Sequence, residues 1–170
     1  MMGKNILILN GAARKQGRTA ELVQAFSDGA RSAGHVVTEF YLDGLTIHSC
    51  RGCLHAGTDP NSPCTQKDDM DQIYRAFAAC DVVVFASPVY FWTITGKLKT
   101  VADRLYASLE CLGYNGFRRE SVLLMTADGS EYSQAQTWYH TYERNLHWHS
   151  LGEILGKGRT KKAYRLGETI

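Results

Sequence analysis

The sequence predicts a doubly wound α/β domain, a five-stranded parallel sheet in the order 2-1-3-4-5 with helices on both faces. Three observations predict it. Strand-like and helix-like runs alternate along the chain. The strand-like runs are almost continuously apolar, as strands buried on both faces must be. The loops after the first and third runs carry residue types that suit ligands, and sheets of this kind bind ligands at the carboxyl ends of their strands, where the strand order reverses. The 170 residues suit one such domain, 1–170.

The elements follow in order. ILIL at 6–9 is short, apolar and followed by Gly11, a buried strand. Residues 19–34 carry Leu22, Val23, Phe26, Ala30 and Ala33 at helical spacing and stop at Gly34. A second strand follows at His35–Tyr41. Residues 42–68 form a long irregular stretch, and loops of that length are often functional. Asp68 or Asp69 caps a helix bearing Met70, Ile73, Tyr74 and Phe77. DVVVFA at 81–86 is the clearest strand. Gly96–Leu112 reads as one helix, Ser121–Thr126 as a strand, Gln134–Leu146 as a helix and Leu151–Leu155 as a last strand. Lys157–Arg165 reads as a solvated basic tail. A shorter final helix or a partner subunit is expected to cover the sheet face left open there.

Net charge is only +2, so no strong field is built for nucleic acid or an acidic membrane. No apolar stretch approaches the roughly 20 residues of a membrane span, and Met1–Asn5 runs straight into an apolar segment too short for a signal sequence. A cytoplasmic location with five reduced cysteines is the expectation.

The first loop reads LNGAARKQGRTAE. It lies between a strand and a helix, where unpaired N–H groups and the helix dipole favour an anion. Gly11 and Gly17 permit close backbone approach. Arg14 and Arg18 can neutralise a dianion, and the Thr19 hydroxyl can donate to it. A Walker A loop is excluded, because five residues separate the glycines and Arg18 stands at the lysine position. A dinucleotide fingerprint is excluded by Ala13 and Gln16 at its second and third glycine positions. The second loop, SPVYFWTITGK, sets Tyr90, Phe91 and Trp92 at the mouth of the best strand, where they suit a flat π ligand, a cover for the next helix, or a subunit contact.

The pairing of NGAARKQGRT with SPVYFWTITGKLKTVADR resembles the NAD(P)H-dependent FMN reductase branch of the flavodoxin-like superfamily, which also contains iron–sulfur flavoproteins. The resemblance runs from about Asn5 to Gly129. It implies FMN as cofactor and NADPH or NADH as electron donor, with hydride passing to the flavin and electrons then to a small-molecule acceptor such as a quinone or free flavin. It implies phosphate contacts from Ala12, Arg14, Gly17, Arg18 and Thr19, with Gln16 also among the cofactor-binding residues. Ring contacts would come from Pro88, Val89, Tyr90, Phe91, Trp92 and Thr93. Thr126, Asp128 and Gly129 would border the flavin. Ala12 and Ala13 replace the family's usual Ser and Pro and remove one hydroxyl donor. The alternative is an electron carrier without its own substrate, but such carriers tend to be strongly acidic for partner docking.

Cys50, Cys53 and Cys64 fall where the resemblance puts the cluster-binding loop of iron–sulfur flavoproteins. Three cysteines are one short of the usual four, and zinc with His48 or His55 lacks a recognised spacing. No metal is expected, and the loop is read as lining the flavin site or a dimer contact. Cys80 and Cys111 are read as buried core thiols, and His140, His147 and His149 as surface or interface residues. A homodimer or higher homo-oligomer is expected, using Phe91, Trp92 and Trp148, aromatics that read as exposed.

Overall fold

The computed structural model describes residues 3–170. Its elements are β1 (Asn5–Asn10), α1 (Arg18–Ser32), β2 (Val36–Tyr41), α2 (Met70–Ala79), β3 (Val82–Pro88), α3 (Gly96–Arg104), α4 (Tyr106–Phe117), β4 (Glu120–Thr126), α5 (Ser133–Leu146), β5 (His149–Leu155) and α6 (Thr160–Thr169). The strands pair in parallel in the order β2-β1-β3-β4-β5. The flavodoxin-like order expected from the sequence is therefore the observed one.

The period-2 alternation of each central strand feeds two cores. Ile6, Ile8, Val82, Val84, Val122 and Leu124 meet Leu22, Val23 and Phe26 of α1 on one face. Leu7, Leu9, Val83, Phe85, Leu123 and Met125 meet α2, α3 and α5 on the other. The apolar runs look unbroken because both faces are covered.

The C-terminal segment corrects the reading of a solvated tail. Residues 160–169 form α6, whose Lys and Arg side chains are exposed while Ala163 and Gly167 are buried. It is the short helix expected to complete the α1 face. A Cβ on Gly29 would stand 2.0 Å from the Tyr164 carbonyl oxygen, and one on Gly167 would stand 2.2 Å from that of Phe26. Two glycines thus let α1 and α6 pack backbone to backbone.

The expected single helix over 96–112 is two helices. The Tyr74 hydroxyl donates to the Arg104 carbonyl at 2.9 Å, and the Ser108 N–H turns to the Leu105 carbonyl at 2.9 Å. A competing donor and a 3₁₀-type bond thereby end α3 and start α4. Gly113, at φ +66°, interrupts α4 again.

Trp148, read as exposed, is buried. Its indole N–H donates to the Phe117 carbonyl at 2.9 Å, and its ring lies against Phe77 and Phe85. It anchors the entry to β5, which begins two residues earlier than expected. A bulge pairs Ser121 with Ser150 and Val122 with Gly152, skipping Leu151. Cys80 is buried at the end of α2, but Cys111 is only half-buried.

Candidate functional site

The loops leaving β1, β3 and β4 meet at the carboxyl edge of the sheet. Between them lies a cleft lined by Ala12, Ala13, Arg14, Gly17, Arg18, Thr19, Pro88, Val89, Tyr90, Thr126, Ala127 and Asp128. Its volume, about 100 Å³, suits a small anionic group rather than a whole drug-sized ligand, which needs several hundred. Gly17 is the N-cap of α1 and supplies no side-chain cap. The first N–H groups of a 15-residue helix therefore face this cleft without an internal partner. A Cβ at Gly17 would meet nothing within 4 Å, so the approach to the helix end is open.

The two principal loops are joined at one point. Gly11 N–H donates to the Ala86 carbonyl at 2.8 Å, and the Thr95 hydroxyl donates to the Gly11 carbonyl at 2.8 Å. Thr95 is also the N-cap of α3, its own N–H bonded to the Ser87 hydroxyl at 3.0 Å. A Cβ on Gly11 would lie 2.6 Å from Thr95 Oγ1 and 2.8 Å from Leu98 Cβ. Only glycine allows this contact. Buried Asn10 completes the support: its Oδ1 accepts from Ala12 N–H at 3.1 Å, and its Nδ2 donates to Glu39 at 2.8 Å.

Across the cleft the Thr19 and Thr126 hydroxyls share a buried hydrogen bond of 2.7 Å. One of the two remains able to donate outward. Arg18 pairs with Asp128 over the mouth. The Arg18 hydrogen bond and charge hold the Asp128 carboxyl below its ordinary range. Arg18 is thus already placed at the cleft rim, beside the helix end.

The β3 loop makes a tight turn. Tyr90 and Thr93 exchange backbone hydrogen bonds of 2.9 and 3.2 Å, and Phe91 and Trp92 between them adopt left-handed φ values of 45° and 68°. Two successive bulky residues in this region carry backbone strain of the kind that gathers at ligand sites. The turn holds both rings out of the core, Phe91 at 88% exposure, edge-to-face at 5.4 Å. Tyr90, half exposed, borders the cleft itself. On the β2 side Lys15 sits 5.7 Å from the Tyr41 ring centre. Burial and then Asp43 raise the Tyr41 hydroxyl above its usual value.

The structure therefore brings Ala12, Arg14, Gly17, Arg18, Thr19, Pro88, Val89, Tyr90, Thr126 and Asp128 into one cleft. Gln16 and Gly129 are exposed on the flanking loops, and Phe91, Trp92 and Thr93 form the adjoining turn. Ala13 and Ala127 also line the cleft, and the Gly11–Ser87–Thr95 seam and Asn10 support it. Gly11 was already read as part of the first loop; Asn10, Ala13, Ser87, Thr95 and Ala127 were missed, because small and neutral residues give no pattern signal.

The cysteine loop does not line this cleft. Cys50, Cys53 and Cys64 border a separate cavity, so of the two readings of this loop the one that has it line the cleft is corrected. Arg104 pins the loop there through hydrogen bonds to both Asp68 carboxylate oxygens (2.8 and 3.2 Å) and to the carbonyls of His48 and Gln66 (2.9 and 3.4 Å). Asp68 also caps α2 through Met70 N–H at 3.1 Å. Among the described residues no group of three His, Cys, Asp or Glu could hold a metal ion. His140 pairs with Glu153, and His147 and His149 are exposed beside the opposite end of the sheet.

Fold and cleft together define a flavodoxin-like protein with an uncapped helix end at the β1–α1 turn. The chain belongs to the NADPH-dependent FMN reductase family, whose model matches residues 4–153. Membership brings FMN as the cofactor and NAD(P)H as the electron donor. An iron–sulfur flavoprotein of Archaeoglobus fulgidus is 33% identical over 96 residues, 56% of this chain and 42% of the relative. One from Clostridioides difficile is 30% identical over 132 residues, 76% of this chain and 57% of the relative. The chain spans about half the length of the curated relatives it matches. An NAD(P)H:quinone oxidoreductase from Methanothermobacter marburgensis shares the fold, with a TM-score of 0.75 over 98% of this chain and 95% of that one, at 17% identity. A flavone reductase shares it with a TM-score of 0.74 over 96% and 60%, at 15% identity.

The cleft suits the phosphate end of FMN on its own chemistry. An uncapped helix end, two arginines and a hydroxyl pair satisfy a phosphate dianion. With Ala12 and Ala13 in the lining, a phosphate there would depend more on Arg14, Arg18 and Thr19.

Proposed function

We propose that this protein is an FMN-dependent NAD(P)H oxidoreductase of the flavin or quinone reductase type. The observation that carries the reading is the cleft at the carboxyl ends of β1, β3 and β4, with the uncapped α1 end, Arg14 and Arg18 on one side and the aromatic turn on the other. Bound FMN would supply the electron-transfer chemistry, accepting hydride from NAD(P)H and reducing a small acceptor. The protein's part is to hold and orient. Arg14, Arg18, Thr19 and the α1 N–H groups fix the phosphate end. Tyr90 and the Phe91–Trp92 turn shape the ring end, and the Thr126–Gly129 loop closes the side.

No acid–base residue is assigned: Asp128, the carboxylate that lines the cleft, is exposed and paired with Arg18. Steady-state oxidation of NADH and NADPH by the FMN-loaded protein, with a quinone or free flavin as acceptor, tests the reading. Turnover with either acceptor supports it, and FMN binding without turnover would favour a carrier.

We also propose that the protein self-associates through the exposed Phe91–Trp92 turn. Light scattering after size exclusion would give a dimer or higher oligomer that Phe91→Ser with Trp92→Ser reduces to monomer. A monomeric parent would refute it.

A further inference from the structure

The segment Cys50–Arg51–Gly52–Cys53 carries a chemistry that the phosphate cleft does not use. Both thiols are free and exposed. Two residues separate them, the spacing at which one thiol can attack an external disulfide and the other can displace the product. The chain around them is lightly tied. The carbonyls of His48 and Ser49 accept from Arg104 and Gln66 at 2.9 and 3.1 Å, and Gly57 N–H donates to the Pro63 carbonyl at 2.7 Å. Between these anchors, among the described residues, the hydrogen bonds of residues 50–56 are made only within the stretch itself.

The two sulfurs stand in different roles. Gly52 N–H donates to Cys50 Sγ at 3.4 Å, whereas the Cys53 thiol donates to the His55 carbonyl at 3.9 Å. Cys50 thus presents an accepting sulfur, with Arg51 exposed beside it, and Cys53 keeps its proton on a long contact. Residues 50–53 form no turn while both thiols are free. Gly52 nonetheless holds φ at +63°, close to the value of about +80° that the third residue of a type II turn requires. A Cβ there would meet nothing within 4 Å, so no neighbour blocks the closing of that turn. A closed turn sets its first and fourth Cα atoms within about 7 Å, the upper reach of a disulfide.

We propose that Cys50 and Cys53 are a redox-active dithiol whose substrates are low-molecular-weight disulfides. Cys50 loses its proton to solvent and its sulfur attacks the disulfide RSSR. A Cys50–SR bond forms, the reagent's S–S bond breaks, and RS⁻ leaves and is protonated to RSH. Cys53, deprotonated in turn, attacks Cys50 Sγ and expels the second RSH. Two electrons pass from the pair to RSSR, and the protein keeps a Cys50–Cys53 bond. Cys64 and Cys80 are buried and Cys111 is half-buried, so these three stay reduced.

Glutathione disulfide is the probe, added to the FMN-loaded protein at pH 8. Mass spectrometry should show a transient adduct of one glutathione and then a product lighter than the parent by two hydrogens. The five thiols of the unfolded chain should fall by two. Trypsin cuts after Arg51, so the bridge should join two otherwise separate peptides. Cys64→Ser should react like the parent, which distinguishes Cys53 from Cys64 as the partner. Cys53→Ser should take up glutathione at Cys50 at a rate within about twofold of the parent and stop at that adduct, while Cys50→Ser should react at least tenfold more slowly. FMN affinity should be the same in all three variants. No reaction, a stable adduct of two glutathiones, a bridge to Cys64 or to a second copy, or a Cys50→Ser protein that reacts as fast as the parent would overturn the proposal.

Discussion

Replacing Gly11 by Ala should loosen the seam that holds both flavin loops. The new methyl would stand 2.8 Å from Leu98 Cβ and 2.6 Å from Thr95 Oγ1. Ordinary carbon contacts are about 3.5 Å or more, so the start of α3 must retreat by about 0.7 Å. Thr95 and Leu98 are buried, at 4% and 0% exposure, and have little room to yield. Overpacking of this kind costs about 1–3 kcal/mol. The retreat also stretches the 2.8 Å bond from Thr95 to the Gly11 carbonyl, and a buried group left unsatisfied costs about 1–3 kcal/mol. Relief of one cost shares in the other, and the lower unfolded-state entropy of Ala returns about 0.4–1 kcal/mol. A net loss of about 2–4 kcal/mol follows. Urea unfolding should show it as a midpoint lowered by about 1–2 M at unchanged slope. Gly17→Ala is the control, since its Cβ meets nothing, and as an N-cap change it should cost no more than about 1 kcal/mol. A Gly11→Ala protein as stable as the control would refute the reasoning.

Three further outcomes follow from the same structure. Asp68 is buried against Arg104, and the hydrogen bonds from Arg104, His48 N–H and Met70 N–H outweigh desolvation and hold its carboxyl far below the usual range. A depressed folded pKa means stability that is present above the unfolded value of about 3.9 and is lost as pH falls below it; urea midpoints from pH 6 to 2 should fall, and Asp68→Asn should be less stable at pH 6 and flatter in pH. Thiol titration at pH 8 should find Cys50 and Cys53 fast, while burial pushes Cys80 up to about 11 and leaves it unreactive until the protein unfolds. Gly167→Ala should cost about 3 kcal/mol or more by driving α6 from α1, read as a lowered urea midpoint.

The parts of this molecule that were legible in sequence are those written in periodicity or in a local chemical pattern. β1, β3 and β4 were legible because their apolar runs are buried on both faces. That the β1–α1 loop lines a cleft was legible because Gly, Arg and Thr stand together at a strand–helix turn. What stayed hidden depends on partners distant in sequence. The α3–α4 break is made by Tyr74, thirty residues away from Arg104. Trp148 looked exposed because nothing nearby reveals that Phe77 and Phe85 receive it. α6 buries little beyond Ala163 and Gly167, too sparse a stripe to distinguish from a basic tail. The position of the cysteine loop, read as lining the flavin site or a dimer contact, stayed hidden because the Asp68–Arg104 pair that holds it away from the cleft spans 36 residues.

The central claim is that Arg14, Arg18, Thr19 and the α1 end form a phosphate site for FMN. Comparing FMN and riboflavin affinities by flavin fluorescence quenching tests it directly, because the two ligands differ only in the phosphate. Charge-assisted hydrogen bonds of about 1.5–3 kcal/mol predict FMN binding at least tenfold tighter, an advantage that Arg14→Ala with Arg18→Ala largely removes while riboflavin affinity stays the same. Equal affinities of the parent protein for the two flavins would contradict the account.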